Sequence, residues 1–166
     1  MTNGAAKGSA YERTLAKELS LWWTSGRRDD IFWRSSQSGG RATQRAKQGK
    51  KTANACGDLC AQNHEGQDLL DLFTIELKRG YNSYTIHDLI EGAKGGLTSF
   101  VNQSAKAASL AGTPYWLLVH KRDRKPAIYV TNHISDIHEG ALKSYCFGLW
   151  SDFTSQGMLR TLKEIK

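Results

Sequence analysis

The chain has 166 residues, 39% of them hydrophobic, and a formal net charge of +7. That length supports one core without disulfide or metal staples, and a single domain spanning 1–166 is expected. No apolar run approaches the about 20 residues of a membrane span, Met1–Lys7 lacks the apolar stretch of a secretory signal, and three cysteines cannot all pair. These features exclude the membrane and disulfide-miniprotein classes and predict an intracellular location.

Residues 1–8 read as a loose tail. From Ser9, in the N-cap position, Tyr11, Leu15, Leu19, Trp22 and Trp23 recur at helical spacing, and Gly26 follows the end. Ile31–Arg34 reads as a short strand. Residues 35–54 are almost purely polar and predict a long, flexible, basic loop. Ala55–Gln62 and Leu69–Lys78 read as two strands, and the turn-like residues 63–68 between them suggest a hairpin. A helical pattern runs from Ile86 to Ala108, with Gly95-Gly96 as a break and Gly112-Thr113-Pro114 as its stop. Tyr115–Val119 has the continuous apolar run of a central strand, Ala127–Val130 another strand, and Met158, Leu159, Leu162 and Ile165 a short final helix. The predicted order, α-β-β-β-α-β-β-α, is an α/β layered fold around a mixed sheet flanked by helices.

Charge is unevenly placed. Residues 27–51 carry +6 of the +7, through Arg27, Arg28, Arg34, Arg41, Arg45, Lys47, Lys50 and Lys51 against Asp29 and Asp30. Such a concentration fits a polyanionic partner, nucleic acid above all; the plainer alternative is a solvated loop.

Within Leu70–Lys78 the residues alternate: Phe73, Ile75 and Leu77 share one face, Thr74, Glu76 and Lys78 the other. A hairpin would bring Asp58 of Gly57-Asp58-Leu59 beside Glu76 and Lys78. Two crowded carboxylates favour a hard divalent cation, Mg²⁺ or Mn²⁺, and such an ion activates water against a phosphodiester. The lysine would position that water or stabilise developing charge. The pattern (Asp/Glu)-x-Lys also occurs at Asp123–Lys125 and Glu164–Lys166, but only Glu76-Leu77-Lys78 lies on an alternating strand. An exposed surface ion pair is the competing reading of Glu76 and Lys78.

With Gly8-Ser9-Ala10-Tyr11-Glu12-Arg13, Phe32–Gly40, Gly57-Asp58-Leu59 and Ile75-Glu76-Leu77-Lys78 in this order, the sequence resembles the PD-(D/E)XK nuclease superfamily, most closely its Holliday-junction resolvase branch. The resemblance covers residues 8–130, and Gly57 stands where the motif's proline would. It implies a restriction-endonuclease-like α-β-β-β-α-β core and a Mg²⁺-dependent DNA endonuclease working as a homodimer. Asp58 and Glu76 would be metal ligands, Glu12 would join them or their water shell, Lys78 would position water, and Gln103 would reach the site from the following helix. Ser36 and Ser38 both fit the family's loop serine and are candidate DNA contacts with Arg34, Arg41, Arg45, Lys47, Lys50 and Lys51.

Several residues also fit plainer roles. Ser9 and Glu12 have the spacing of a capping box. Cys56-x₃-Cys60-x₃-His64 is not a common zinc pattern and lacks a fourth ligand. His120, Lys121, Arg122, Arg124 and Lys125 form a second basic cluster, phosphate-binding or merely solvated. Trp116 reads as core, whereas Trp22, Trp23 and Trp150 exceed what a small core readily buries and suggest a dimer interface. Three functions remain open: a junction-resolving endonuclease active in recombination and repair, a restriction-like or nicking endonuclease, and a non-catalytic nucleic-acid-binding module. The last gains nothing from acidic residues near DNA.

Overall fold

The computed structural model describes residues 4–35, 57–133, 140–142 and 144–164. The first helix, α1 (Gly4–Trp23), begins earlier than predicted, and residues 4–8 belong to it rather than to a loose tail. Ala5, Ala6 and Lys7 are strong helix formers and extend the helix past Ser9. Ser9 therefore lies inside α1 and caps nothing. Leu15, Ala16 and Leu19 bury the apolar face of α1.

After α1 come β1 (Phe32–Arg34) and β2 (Leu59–Ala61), which form a separate antiparallel pair with Phe32 opposite Ala61 and Arg34 opposite Leu59. The predicted hairpin between β2 and the next strand does not form. The chain enters a helix instead, α2 (His64–Leu72), which leads straight into β3 (Phe73–Arg79). The polar residues read as a turn are its first turn. The Asn63 side chain accepts a hydrogen bond from the Gly66 amide, and Leu69 is buried one turn on.

The rest of the order is α3 (His87–Ile90), α4 (Leu97–Ala111), β4 (Tyr115–Lys121), β5 (Ala127–Thr131), β6 (Gly140–Leu142), β7 (Tyr145–Leu149), α5 (Trp150–Phe153) and α6 (Gln156–Glu164). The break at Gly95-Gly96 separates α3 from α4, and Asp88 bridges it by accepting from the amides of Thr85 and Leu97 at 2.9 and 2.8 Å. The main sheet has five strands in the order β3-β4-β5-β7-β6. β3 and β4 are parallel, joined through α4, and the other pairs are antiparallel. Strands β6 and β7 and helix α5 lie beyond the sequence-based assignment.

Helices cover both faces of this sheet. Ile75, Leu77, Leu117, Val119 and Tyr129 pack with α1, α2, α5 and α6. Trp116, Leu118 and Val130 pack with Leu89, Leu97, Phe100, Val101 and Ala108 of α3 and α4. Burial on both faces is why β4 reads as an unbroken apolar run.

The tryptophans overturn the expectation of an apolar surplus. Trp22, Trp23 and Trp150 are all buried, and their indole N–H groups donate to the Ser155 carbonyl, the Glu65 carbonyl and the Glu18 carboxylate. Trp150 stacks on Phe153 at 5.4 Å. They are internal, and Trp33 is the exposed one. Among the described residues no helix is long and apolar enough to cross a membrane.

Candidate active site

Strand β3 is an edge strand, so one row of its backbone groups needs partners from outside the sheet. Asp58 supplies them. Its amide donates to the Ile75 carbonyl at 2.8 Å, and its carboxylate accepts from the Leu77 amide at 2.8 Å. Its own carbonyl accepts from the Ser35 amide at the end of β1, also at 2.8 Å. Asp58 thus reaches Glu76 without a hairpin, by lying along the free edge of β3.

The approach is close enough to dictate the preceding residue. Gly57 has φ +87°, and a Cβ there would sit 2.7 Å from the Ile75 carbonyl oxygen. Proline, locked near −65°, cannot adopt this conformation.

Glu76 lies on the face of β3 that looks toward α4. Its carboxylate accepts from the Gln103 side-chain amide at 3.1 Å and lies 3.4 Å from the Lys78 ammonium. The Lys78 ammonium also sits over the Phe100 ring, 5.3 Å from its centroid. Burial, then the neighbouring Asp58 charge, pushes the Glu76 carboxyl up to about 7. Burial likewise raises Asp58, opposed by the Leu77 N–H and Lys78. Both acids are under one-tenth exposed.

Glu12 faces the same region from α1, but its partner is the Arg34 guanidinium. This ion pair replaces the capping box anticipated for Glu12. It also means that Arg34 is engaged with a carboxylate, and any phosphate contact would compete with that bond.

The structure therefore brings Asp58, Glu76, Lys78 and Gln103 together, with Glu12 and Arg34 paired beside them. Ser36, Ser38, Arg41, Arg45, Lys47, Lys50 and Lys51 lie outside the described residues, as does Cys56. Cys60 is on β2 with its thiol raised by burial, and His64 opens α2. In the second basic cluster, His120 is buried and bonded to the Gly80 carbonyl at 2.9 Å.

Sequence reasoning passed over Tyr81, Tyr84 and the ring of Phe100 beside Lys78. Tyr81 is 53% exposed and has φ +52°, a conformation that costs a bulky residue about 1–3 kcal/mol. No sequence signal marks it.

Two neighbouring carboxylates, both raised first by burial and Glu76 further by the Asp58 charge, form a site short of positive charge. A divalent oxygen-seeking cation suits it chemically. Among the described residues no three His, Cys, Asp or Glu side chains are grouped to enclose an ion. Asp58 and Glu76 could hold Mg²⁺ as a pair, an ion that usually keeps several waters and takes one or two carboxylates plus substrate phosphate oxygens.

A mixed sheet flanked by helices, with Glu-x-Lys on its edge strand and an aspartate alongside, belongs to the class of PD-(D/E)XK nucleases. Residues 3–155 match the family model described as "Phage putative PDDEXK endonuclease", and the chain belongs to that family. No curated protein and no solved structure matches it.

Proposed function

We infer that the protein is a Mg²⁺-dependent endodeoxyribonuclease whose site is Asp58, Glu76, Lys78 and Gln103, with Mn²⁺ able to substitute. The observation that carries this is the Glu76 carboxylate, set between a lysine and a glutamine and raised by burial and then by Asp58. Asp58 and Glu76 would hold the metal, which when bound supplies a Lewis acid for the phosphate and a more acidic water. Lys78 orients the attacking water and offsets charge developing on the phosphate oxygens. Gln103 fixes the rotamer of Glu76 through its amide. Glu12, tied to Arg34, acts from the edge of the site.

The substrate we favour is branched DNA, with four-way junctions opened by paired nicks. Support comes from the likeness of Gly8–Arg13 and Phe32–Gly40 to the resolvase branch. One cluster of this kind hydrolyses one strand, so resolution requires two copies about a twofold axis. Burial of Trp22, Trp23 and Trp150 removes the apolar argument for that dimer, leaving the symmetry of the reaction as its support.

Incubation with end-labelled four-way junction, matched duplex and single-stranded DNA, in Mg²⁺ or in EDTA, tests the reading. Symmetric junction cleavage in Mg²⁺ alone is the expected result. Cleavage of plain duplex at fixed sequences would favour a restriction-like or nicking enzyme. Binding without cleavage under any divalent ion would overturn the nuclease.

A further inference from the structure

Just past Lys78 the chain makes a tight corner. Gly80 has φ +88° and Tyr81 φ +52°, two successive left-handed residues. The corner is held from several sides. The Gly80 amide donates to the Lys121 carbonyl at 2.9 Å, and the Gly80 carbonyl bonds the His120 ring at 2.9 Å. Asn82 exchanges two hydrogen bonds with Asp123, at 3.1 and 2.7 Å, and Arg79 pairs with Asp123 at 2.9 Å. A strained backbone fixed by this many bonds holds its side chain in one place.

That side chain is an exposed aromatic. The Tyr81 ring meets Phe100 edge-on at 4.8 Å and leans on Tyr84 at 5.5 Å, and Tyr84 meets Phe100 at 5.2 Å. Phe100 is the ring beneath the Lys78 ammonium. One aromatic ring therefore separates the Tyr81 platform from the lysine of the site. The turn bonded to this corner carries Lys121, Arg122, Arg124 and Lys125, a charge suited to phosphates.

We propose that Tyr81, supported by Tyr84 and Phe100, is a stacking platform for a nucleobase of the strand handled at Lys78, so that the site selects DNA with an unpaired base next to the scissile phosphate. Every base offers a π-face, so the contact reads base availability rather than sequence. A fully paired duplex keeps its bases stacked on one another and cannot use it. The selectivity rests on the nuclease reading of the site, but the base-binding step itself needs no metal.

The test uses the full chain in EDTA, titrated with a forked oligonucleotide carrying 2-aminopurine in its unpaired arm and with the matched duplex. Wild type should quench the fluorophore and bind the fork more tightly. Tyr81→Ala should lose the quench and bind the fork about tenfold more weakly, while duplex affinity changes less than about twofold. Tyr81→Phe should behave as wild type. Tyr81→Gly, which relieves the left-handed backbone while removing the ring, should match Tyr81→Ala. Fork and duplex weakened equally, a phenylalanine variant as impaired as alanine, or an alanine variant with wild-type quench would each overturn the platform. Tyr81-dependent quenching by a protein that cuts nothing in Mg²⁺ would support the platform and sink the nuclease reading; cleavage indifferent to Tyr81→Ala would do the reverse.

Discussion

The Asp58 carboxylate accepts the backbone N–H of Leu77, the residue between Glu76 and Lys78, at 2.8 Å. The middle of the Glu-x-Lys segment is thus the point at which the aspartate is fastened to β3. Asp58 has two jobs in this arrangement: it closes the free edge of the sheet, and it brings its charge against Glu76.

Those two jobs separate by substitution. Asp58→Asn keeps an oxygen for the Leu77 amide and removes a buried charge, so its melting temperature should equal or exceed that of wild type. Asp58→Ala strands a buried amide and should lose about 1–3 kcal/mol. Both should abolish cleavage, and neither should weaken DNA binding, because each removes a negative charge near a polyanion. Glu76→Ala and Lys78→Ala should also abolish cleavage. Wild-type turnover by any of these variants in a single-turnover assay would refute the site.

Glu76 makes metal-free stability depend on pH in an unusual direction. Between its ordinary value of 4.5 and about 7, the folded protein holds a proton on Glu76 that the unfolded chain has released. Stability should therefore fall as pH rises through that window, by on the order of 1–3 kcal/mol. Asp58, also raised, adds to the same trend. Denaturant unfolding in EDTA from pH 4.5 to 8 measures it. His120, lowered by burial, works in the opposite sense below its ordinary value, so the comparison with Glu76→Gln isolates the carboxylate: a wild type that loses no more stability across this range than the glutamine variant would contradict the assignment.

Gly57→Ala would place a methyl group 2.7 Å from the Ile75 carbonyl at φ +87°. The backbone must retreat from β3 and carry Asp58 with it. A loss of about 2 kcal/mol or more is expected, together with loss of cleavage in protein that is still folded. Chemical denaturation and a cleavage assay on one preparation check both.

Arg41, Arg45, Lys47, Lys50 and Lys51 should carry the salt dependence of DNA binding. Replacing all five by glutamine should lower the slope of log affinity against log salt, by up to about 0.9 for each phosphate no longer neutralised. Arg34→Gln serves as the comparison, since Arg34 already has Glu12 as partner. A smaller change for Arg34 is expected. Equal slopes for wild type and the five-fold variant would make the segment a bystander.

The sequence carried the layered architecture because burial on both faces leaves a plain signature, as in Tyr115–Val119. It carried the convergence of Asp58, Glu76 and Lys78 on one place, because the alternation along Leu70–Lys78 sets Glu76 and Lys78 on one face of the strand. Gln103 came from the likeness to the nuclease superfamily, and the structure places its amide 3.1 Å from Glu76. The route to the site was not legible. Residues 63–68 have the composition of a turn, and Asn63 looks the same whether it opens a turn or caps a helix. A two-strand hairpin and a helix beside an edge strand both deliver Asp58 to Glu76, and local composition does not separate them. Glu12 had the spacing of a cap, while the likeness to the nuclease superfamily implied a place at the metal, and its hydrogen-bond partner proved to be Arg34, twenty-two residues away. Strain at Tyr81 leaves no trace in residue type.

Strand β3 finds its inner neighbour, β4, only after the chain has passed through α3 and α4. A growing polypeptide emerges from its N-terminus, so Glu12, Asp58, Glu76 and Lys78 are all made before Gln103 and before the strand that flanks Glu76. For that interval the molecule holds the charged groups of the candidate site with no partner strand to set their register. Parallel pairing of this kind is slow to close, because the intervening chain must be ordered first. The candidate site can consequently take its full form only when the sheet closes, and not when its acidic residues first appear.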